Sequence, residues 1–257
     1  SQELVLKIPQ NEDTKPQISN ISVSGSPMLF NTADLFVKGK NGVLVNATAQ
    51  GRYNASPTSV KWRIEDEEFD NGVASDYFAT FGTLPITVTV VDSRGFTNSS
   101  VKNIAVSDYQ RPYVSSVAGA DRIIVRRADS SGAEDDGGQY LRIEAGKRYT
   151  SLGGKNNGTL RYRKKVRGGA WEDYIILIPA QGSNDYIGTE TASLDPQSIY
   201  VIELSVIDGF SEADTYVTAL ATEAVYMDRS GTRKSIAFGG HITEDNSFEV
   251  YQAAFFR

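Results

Sequence analysis

Two stretches far apart in the chain carry the same alternating pattern, and this repetition constrains the fold more than any bulk property. Residues 86–95 read ITVTVVDSRG and residues 202–209 read IELSVIDG. An offset of about 116 lays Ile86 on Ile202, Val88 on Leu204, Val90 on Val206 and Asp92 on Asp208, and the agreement continues to Val101 on Val217 and Ile104 on Leu220. Apolar residues alternate with Thr, Glu or Ser, the period expected when one strand face is buried and the other is wet. Asp and Gly then supply a turn, and a second alternating strand follows. Each copy is therefore expected to be a β-hairpin, and the chain an array of one repeated unit.

At 257 residues the chain has room for two units of about 100 residues, each large enough to close its own core. Its 23 glycines and 13 tyrosines suit short strands and many turns. A net charge of −6 argues against a nucleic-acid groove, which needs a basic stripe to displace counterions. The absence of cysteine excludes disulfides, thiolate nucleophiles and Cys-bound metals, so any sandwich here is held by apolar packing alone. No stretch approaches the ~20 apolar residues that span a bilayer. The polar start at Ser1 suggests a processed or cut piece of something longer.

Residues 1–10 contain ELVLKI, which aligns at an offset of about 96 with Val101 and Ile104 (Val5, Ile8) and is expected to be a remnant strand or linker of a preceding repeat. The first full unit, 11–111, has expected strands at Ile18–Val23, Gly42–Gly51, Val60–Ile64, Asp76–Thr80, Ile86–Asp92 and Val101–Val106, a spacing that signals a sandwich. Trp62 sits mid-strand and reads as a core anchor rather than a ligand-stacking ring. Glu65 to Glu68 with Asp70 read as a solvated turn, since no calcium-loop spacing is present.

The second unit, 112–221, carries the polar insertion Asp129 to Gly138 between IIVRR and QYLRIEA, expected as a long hairpin with an exposed tip. Its carboxylates Asp129, Glu134, Asp135 and Asp136 lack the alternate-residue rhythm of a calcium loop. LRYRKKVRGGAW is expected to form two strands around Gly168 and Gly169. The basic run Arg161, Arg163, Lys164, Lys165 and Arg167 is its concentrated positive patch, with Arg161, Arg163 and Lys165 sharing one face. A wet sheet face paired with the acidic loop is the plainer reading than a polyanion site. Trp171, Tyr174 and Tyr186 are candidates for sugar stacking, with core or strand-edge placement the expectation for each.

LDPQSIYVIELSVIDG, with Leu194, Pro196, Tyr200, Ile202, Leu204 and Val206, resembles the corner and penultimate strand of a fibronectin type III or related immunoglobulin-like domain. That resemblance implies a Tyr200 hydroxyl bonded back to the corner's backbone. The first unit has Leu84 at the equivalent position, so there only the strand pattern supports the same fold.

Catalysis is not expected. His241 is the single histidine and lies in a Gly-Gly turn beside Glu244 and Asp245, the setting of a surface residue. The acidic residues sit in polar turns, where nothing would raise one pKa and spare its neighbour. Phosphate loops and helical periods are missing, so no catalytic, cofactor-binding or metal residues are expected, and no cofactor.

Residues 222–257 depart from the repeat, with short apolar strands expected at SIAF, SFEV and AAFF, too few to fold alone. Tyr226-Met227-Asp228, Lys234 through Gly239 and Phe248-Glu249-Val250 resemble the closing region of minor structural, tail or baseplate proteins of phages that infect Gram-positive bacteria. In those proteins an "IAxG" strand and a final "FEV" strand follow immunoglobulin-like repeats; here Gly240-His241 stands where Lys often follows. The resemblance implies a virion component, homo-oligomeric and most simply trimeric, assembled in the host cytoplasm and exposed outside it. Its implied partners are other virion proteins and host-surface carbohydrate, with no nucleic acid and no membrane insertion. The reading is thus an all-β chain of tandem immunoglobulin-like sandwiches with a β-rich C-terminal assembly segment, presenting loops such as 129–138 and 181–191. A bacterial surface adhesin and the carbohydrate-binding modules of a glycoside hydrolase are the alternatives.

Overall fold

Short apolar alternations separated by Gly, Pro and Asn turns become strands, and the computed structural model is all β among the residues it describes, 9–221, Asp228–Ser230, Ser235–Phe238 and Phe248–Val250. The chain divides into two compact units between Gln110 and Arg111.

The first unit contains β1 (Gln17–Ser26), β2 (Phe36–Val37), β3 (Gly42–Gln50), β4 (Pro57–Ile64), β5 (Glu67–Asp70), β6 (Gly82–Asp92) and β7 (Thr97–Ser107). β1 pairs antiparallel with β3, and a second sheet runs in the order β2-β7-β6-β4-β5, with β2 parallel to β7. Ile86, Val88 and Val90 are wholly buried while Thr87 and Thr89 between them are partly exposed, as the alternation requires. Ile86 and Val88 meet Val43, Val45, Trp62 and Ile104 in one apolar cluster. Trp62 is 1% exposed, stacks on Phe69 at 4.5 Å and donates its indole N–H to the Asp70 carbonyl at 3.1 Å. It is a core anchor.

Two expectations for this unit need correction. The strand expected at Asp76–Thr80 is irregular: contact with β3 comes just before it, through a lone Leu44–Ala74 bridge and the amides of Gly72 and Ser75 on the Val45 and Val43 carbonyls, supplemented by side chains. Asn71 exchanges two hydrogen bonds with the Ala47 backbone, at 2.7 and 3.2 Å, and Ser75 Oγ accepts from the Val43 amide at 2.9 Å. Phe78 beyond them is buried edge-on to Phe36. The acidic run is a turn only at Glu65 and Asp66; Glu67 to Asp70 form β5, held on β4 by a Lys61–Glu68 ion pair of 2.7 Å.

The second unit contains β8 (Tyr113–Ser115), β9 (Ile124–Ala128), β10 (Tyr140–Arg148), β11 (Thr159–Val166), β12 (Ile175–Ile176), β13 (Asp185–Glu190), β14 (Tyr200–Ile207) and β15 (Ala213–Leu220). β10 is flanked by β13 on one side and by β9 and β8 in turn on the other. The facing sheet runs β12-β11-β14-β15, all antiparallel. Leu141, Ile143 and Ala145 of β10 pack against Leu160, Tyr162, Ile202, Leu204 and Val206 of the other sheet. β9 and β10 form the expected hairpin around 129–138. The strand expected directly after Gly169 begins only at Ile175; before it, the Glu172 amide reaches the Lys164 carbonyl of β11 at 3.0 Å, but residues 171–174 form no strand.

β6 and β14 occupy the same place, each central in its sheet and each joined to an antiparallel successor. The aligned pairs match in burial too. Ile104 and Leu220 are buried at 6% and 5%, and Val101 and Val217 both face outward. Near the C-terminus, β16 (Asp228–Ser230), β17 (Ser235–Phe238) and β18 (Phe248–Val250) form a small sheet, antiparallel then parallel, so SIAF and most of SFEV are strands. AAFF, His241, the remnant strand at 1–8 and the assembly role given to 222–257 fall outside the described residues.

Candidate functional site

The cations of β11 meet the aromatic residues of the loop that follows it. On an antiparallel strand alternate side chains share a face, so Leu160 and Tyr162 turn to the core and Arg161, Arg163 and Lys165 turn outward. The chain reverses at Gly168, whose φ of 83° suits the turn, and returns across that outer face with Trp171 and Tyr174. Contacts then run in the order Arg161, Tyr174, Arg163, Trp171, Lys165. Arg161 lies 3.8 Å from the Tyr174 ring centre, Arg163 lies 4.6 Å from both rings, and Lys165 lies 4.5 Å from that of Trp171.

Glu203 anchors this ladder from the neighbouring strand, where the register places it directly opposite Arg163. Its carboxylate accepts two bonds from the guanidinium, at 3.0 and 3.2 Å, and one from the Tyr174 hydroxyl. Burial pushes the Glu203 carboxyl up, but the hydrogen bonds from Arg163 and Tyr174 with the Arg163 and Arg161 charges outweigh it and hold it below the ordinary glutamate range. Lys164 pairs with Glu172 at 3.2 Å. Within the positive patch, Arg163 and Lys164 are thus paired by Glu203 and Glu172, and the acidic loop at 129–138 pairs instead with Arg126.

Each ladder ring carries two cations, so Trp171 and Tyr174 lie against the outer face of β11. Tyr186 lies on β13 rather than in a presenting loop, so most of 181–191 is strand; its hydroxyl donates to Glu190 and its ring packs on the core. The tip at 129–138 is tied to itself: Asp129 Oδ1 accepts from the Ser131 and Ala133 amides at 2.8 and 3.0 Å, and Glu134 pairs with Arg126 at 3.0 Å. No three His, Cys, Asp or Glu converge as a metal set among the described residues.

The tyrosine corner is present in the second unit, where the Tyr200 hydroxyl accepts from the Asp195 amide at 3.2 Å. Leu84 lies within β6, so the first unit has no such corner. Arg127, singled out by no sequence pattern, reinforces it. Only 5% exposed, it donates to the carbonyls of Asp195, Ser198, Gly138 and Ala221 at 2.6 to 3.2 Å and stands over the Tyr200 ring. Glu203 also escaped notice, because a Glu in an alternating strand looks like any wet-face residue.

No protein-family model and no curated protein matches this chain. Among solved structures, fibronectin(III)-like modules of CbhA from Clostridium thermocellum match at 14% identity, over 78% of this chain and 94% of that one, with a TM-score of 0.30. A structure concerned with host cell surface retention of a 1.5-MDa bacterial ice-binding adhesin matches at 10% identity, over 88% and 73%, with a TM-score of 0.43.

Proposed function

We propose that this chain is a non-enzymatic structural and adhesion part of a phage virion, in the tail, a fibre or the baseplate, presenting its sandwiches for contact with the host surface. The observation that carries the non-enzymatic part is what the charged groups do. Among the described residues, the carboxylates that leave their ordinary range, Asp92, Asp129, Asp185, Asp195 and Glu203, all move down, through hydrogen bonds to turns or ion pairs with arginine. A general acid needs a carboxyl moved up. The viral part rests on the resemblance of residues 226–250 to phage structural proteins.

In this reading the partners are neighbouring virion proteins and host-surface carbohydrate, and copies assemble as a trimer through 222–257. Many weak contacts then add through multivalency. Labelled protein should bind whole Gram-positive cells saturably and lose that binding when wall carbohydrate is stripped; equal binding to stripped cells would overturn the host-contact role. An antiserum to the chain should decorate phage tails, whereas labelling of uninfected cell surfaces instead would favour a bacterial adhesin. Turnover of a wall polysaccharide by the chain itself would overturn the non-enzymatic reading.

A further inference from the structure

One sheet edge of the second unit lacks the charges that guard several other terminal strands, and it is set apart by the isoleucines it exposes. β5, β13 and β15 are terminal strands that carry Glu67, Glu68 and Asp70, then Asp185 and Glu190, then Asp214. Such charges oppose edge-to-edge pairing. β12 is also terminal, yet residues 174–184, YIILIPAQGSN, contain no charge. Ile175, Ile176 and Ile178 are 44%, 61% and 80% exposed, while Leu177 between them is 2% exposed.

The backbone of this edge is poised to pair. Ile176 stands opposite Arg161 and the Leu177 amide donates to the Leu160 carbonyl at 2.9 Å, so Ile175 and Leu177 point their amides and carbonyls at β11. Alternation turns those of Ile176 and Ile178 outward. Pro179, which has no amide to give, falls on the inward side and does not interrupt the outer row.

We infer that this edge joins a second copy of the chain, β12 against β12, antiparallel and centred on Leu177. In that register Ile176 opposes the second copy's Ile178 and the reverse, giving two hydrogen-bonded pairs and four isoleucines clustered on one face. Asp173 and Glu172 fall opposite the second copy's Gln181 and Gly182, so no like charges meet. The two four-stranded sheets continue as one. This pairing goes beyond the proposed function and stands whether or not the chain is viral.

Sedimentation of the full chain over the micromolar range tests it. The wild type should associate in even multiples, and Ile178→Lys should weaken that step at least about tenfold with an unchanged far-UV spectrum. Val217→Lys, on the opposite edge strand and also exposed, should leave association as it was. Since the chain has no cysteine, Ile176→Cys mixed with Ile178→Cys should form a disulfide between copies faster than either alone. A monomeric wild type, or association in which Ile178→Lys changes nothing, would overturn the inference; a trimer built through the C-terminal segment alone gives the latter result.

Discussion

Asp92 and Asp208 show how much of this fold rests on single side chains. Asp92 Oδ1 accepts from the Arg94 and Phe96 amides at 2.9 and 3.1 Å, and Asp208 Oδ1 from the Phe210 and Glu212 amides at 2.9 and 3.2 Å. The same device thus turns both hairpins, although the repeat alignment alone says only that the two aspartates correspond. Asp92→Ala leaves those amides and the Arg94 guanidinium without their acceptor and should destabilise the first unit by about 2–3 kcal/mol in urea unfolding. Burial pushes the Asp92 carboxyl up, but its bonds from Arg94 and Phe96 prevail and its pKa lies below the usual 3.8. Its contribution is therefore complete at neutral pH and is lost as pH falls through the folded pKa; Asp92→Asn should flatten the acid limb of the stability profile. Gly95 and Ser211 occupy equivalent left-handed positions, at φ 82° and 62°. Nothing crowds a Cβ at Gly95, so Gly95→Ala should cost about 1 kcal/mol from backbone strain alone, read as a lower urea midpoint.

At the scale of elements, legibility followed periodicity. β6, β7, β14 and β15 alternate over many residues and could be placed from the sequence. β2 and β12 are two residues long, and β5 is hidden in an acidic run whose charges look like a turn. The cation and aromatic ladder was half visible: the shared face of Arg161, Arg163 and Lys165 follows from strand geometry, but Trp171 and Tyr174 arrive from an aperiodic loop. Its anchor, Glu203, is named only by the register of β11 on β14. Glu203→Ala removes the acceptor of a partly buried guanidinium and a hydroxyl and should cost about 3 kcal/mol. Trp171→Ala forfeits two cation–π contacts and should cost about 1–2 kcal/mol. Hydrogen exchange would separate local from global effects, with Trp171→Ala accelerating the amides of residues 167–176 well beyond those of β14.

For the whole molecule, the claim is that one hairpin design was used twice, each copy sealed in its own apolar cluster. Burial supports it position by position: Ile86, Val88 and Val90 match Ile202, Leu204 and Val206 at 0% exposure. The sequence carried this because the alternation survives where the residues themselves differ. It also carried the absence of a tyrosine corner in the first unit, through Leu84, but not the way Arg127 knits the corner of the second. Hydrogen exchange of the intact chain bearing Leu204→Ala is the most direct measurement. The cavity left at this wholly buried site should cost about 2–5 kcal/mol and speed exchange in β10, β11, β14 and β15 at least about thirtyfold, with β3, β4, β6 and β7 unchanged. Equal acceleration in both sets of strands would show a single shared core and contradict the account.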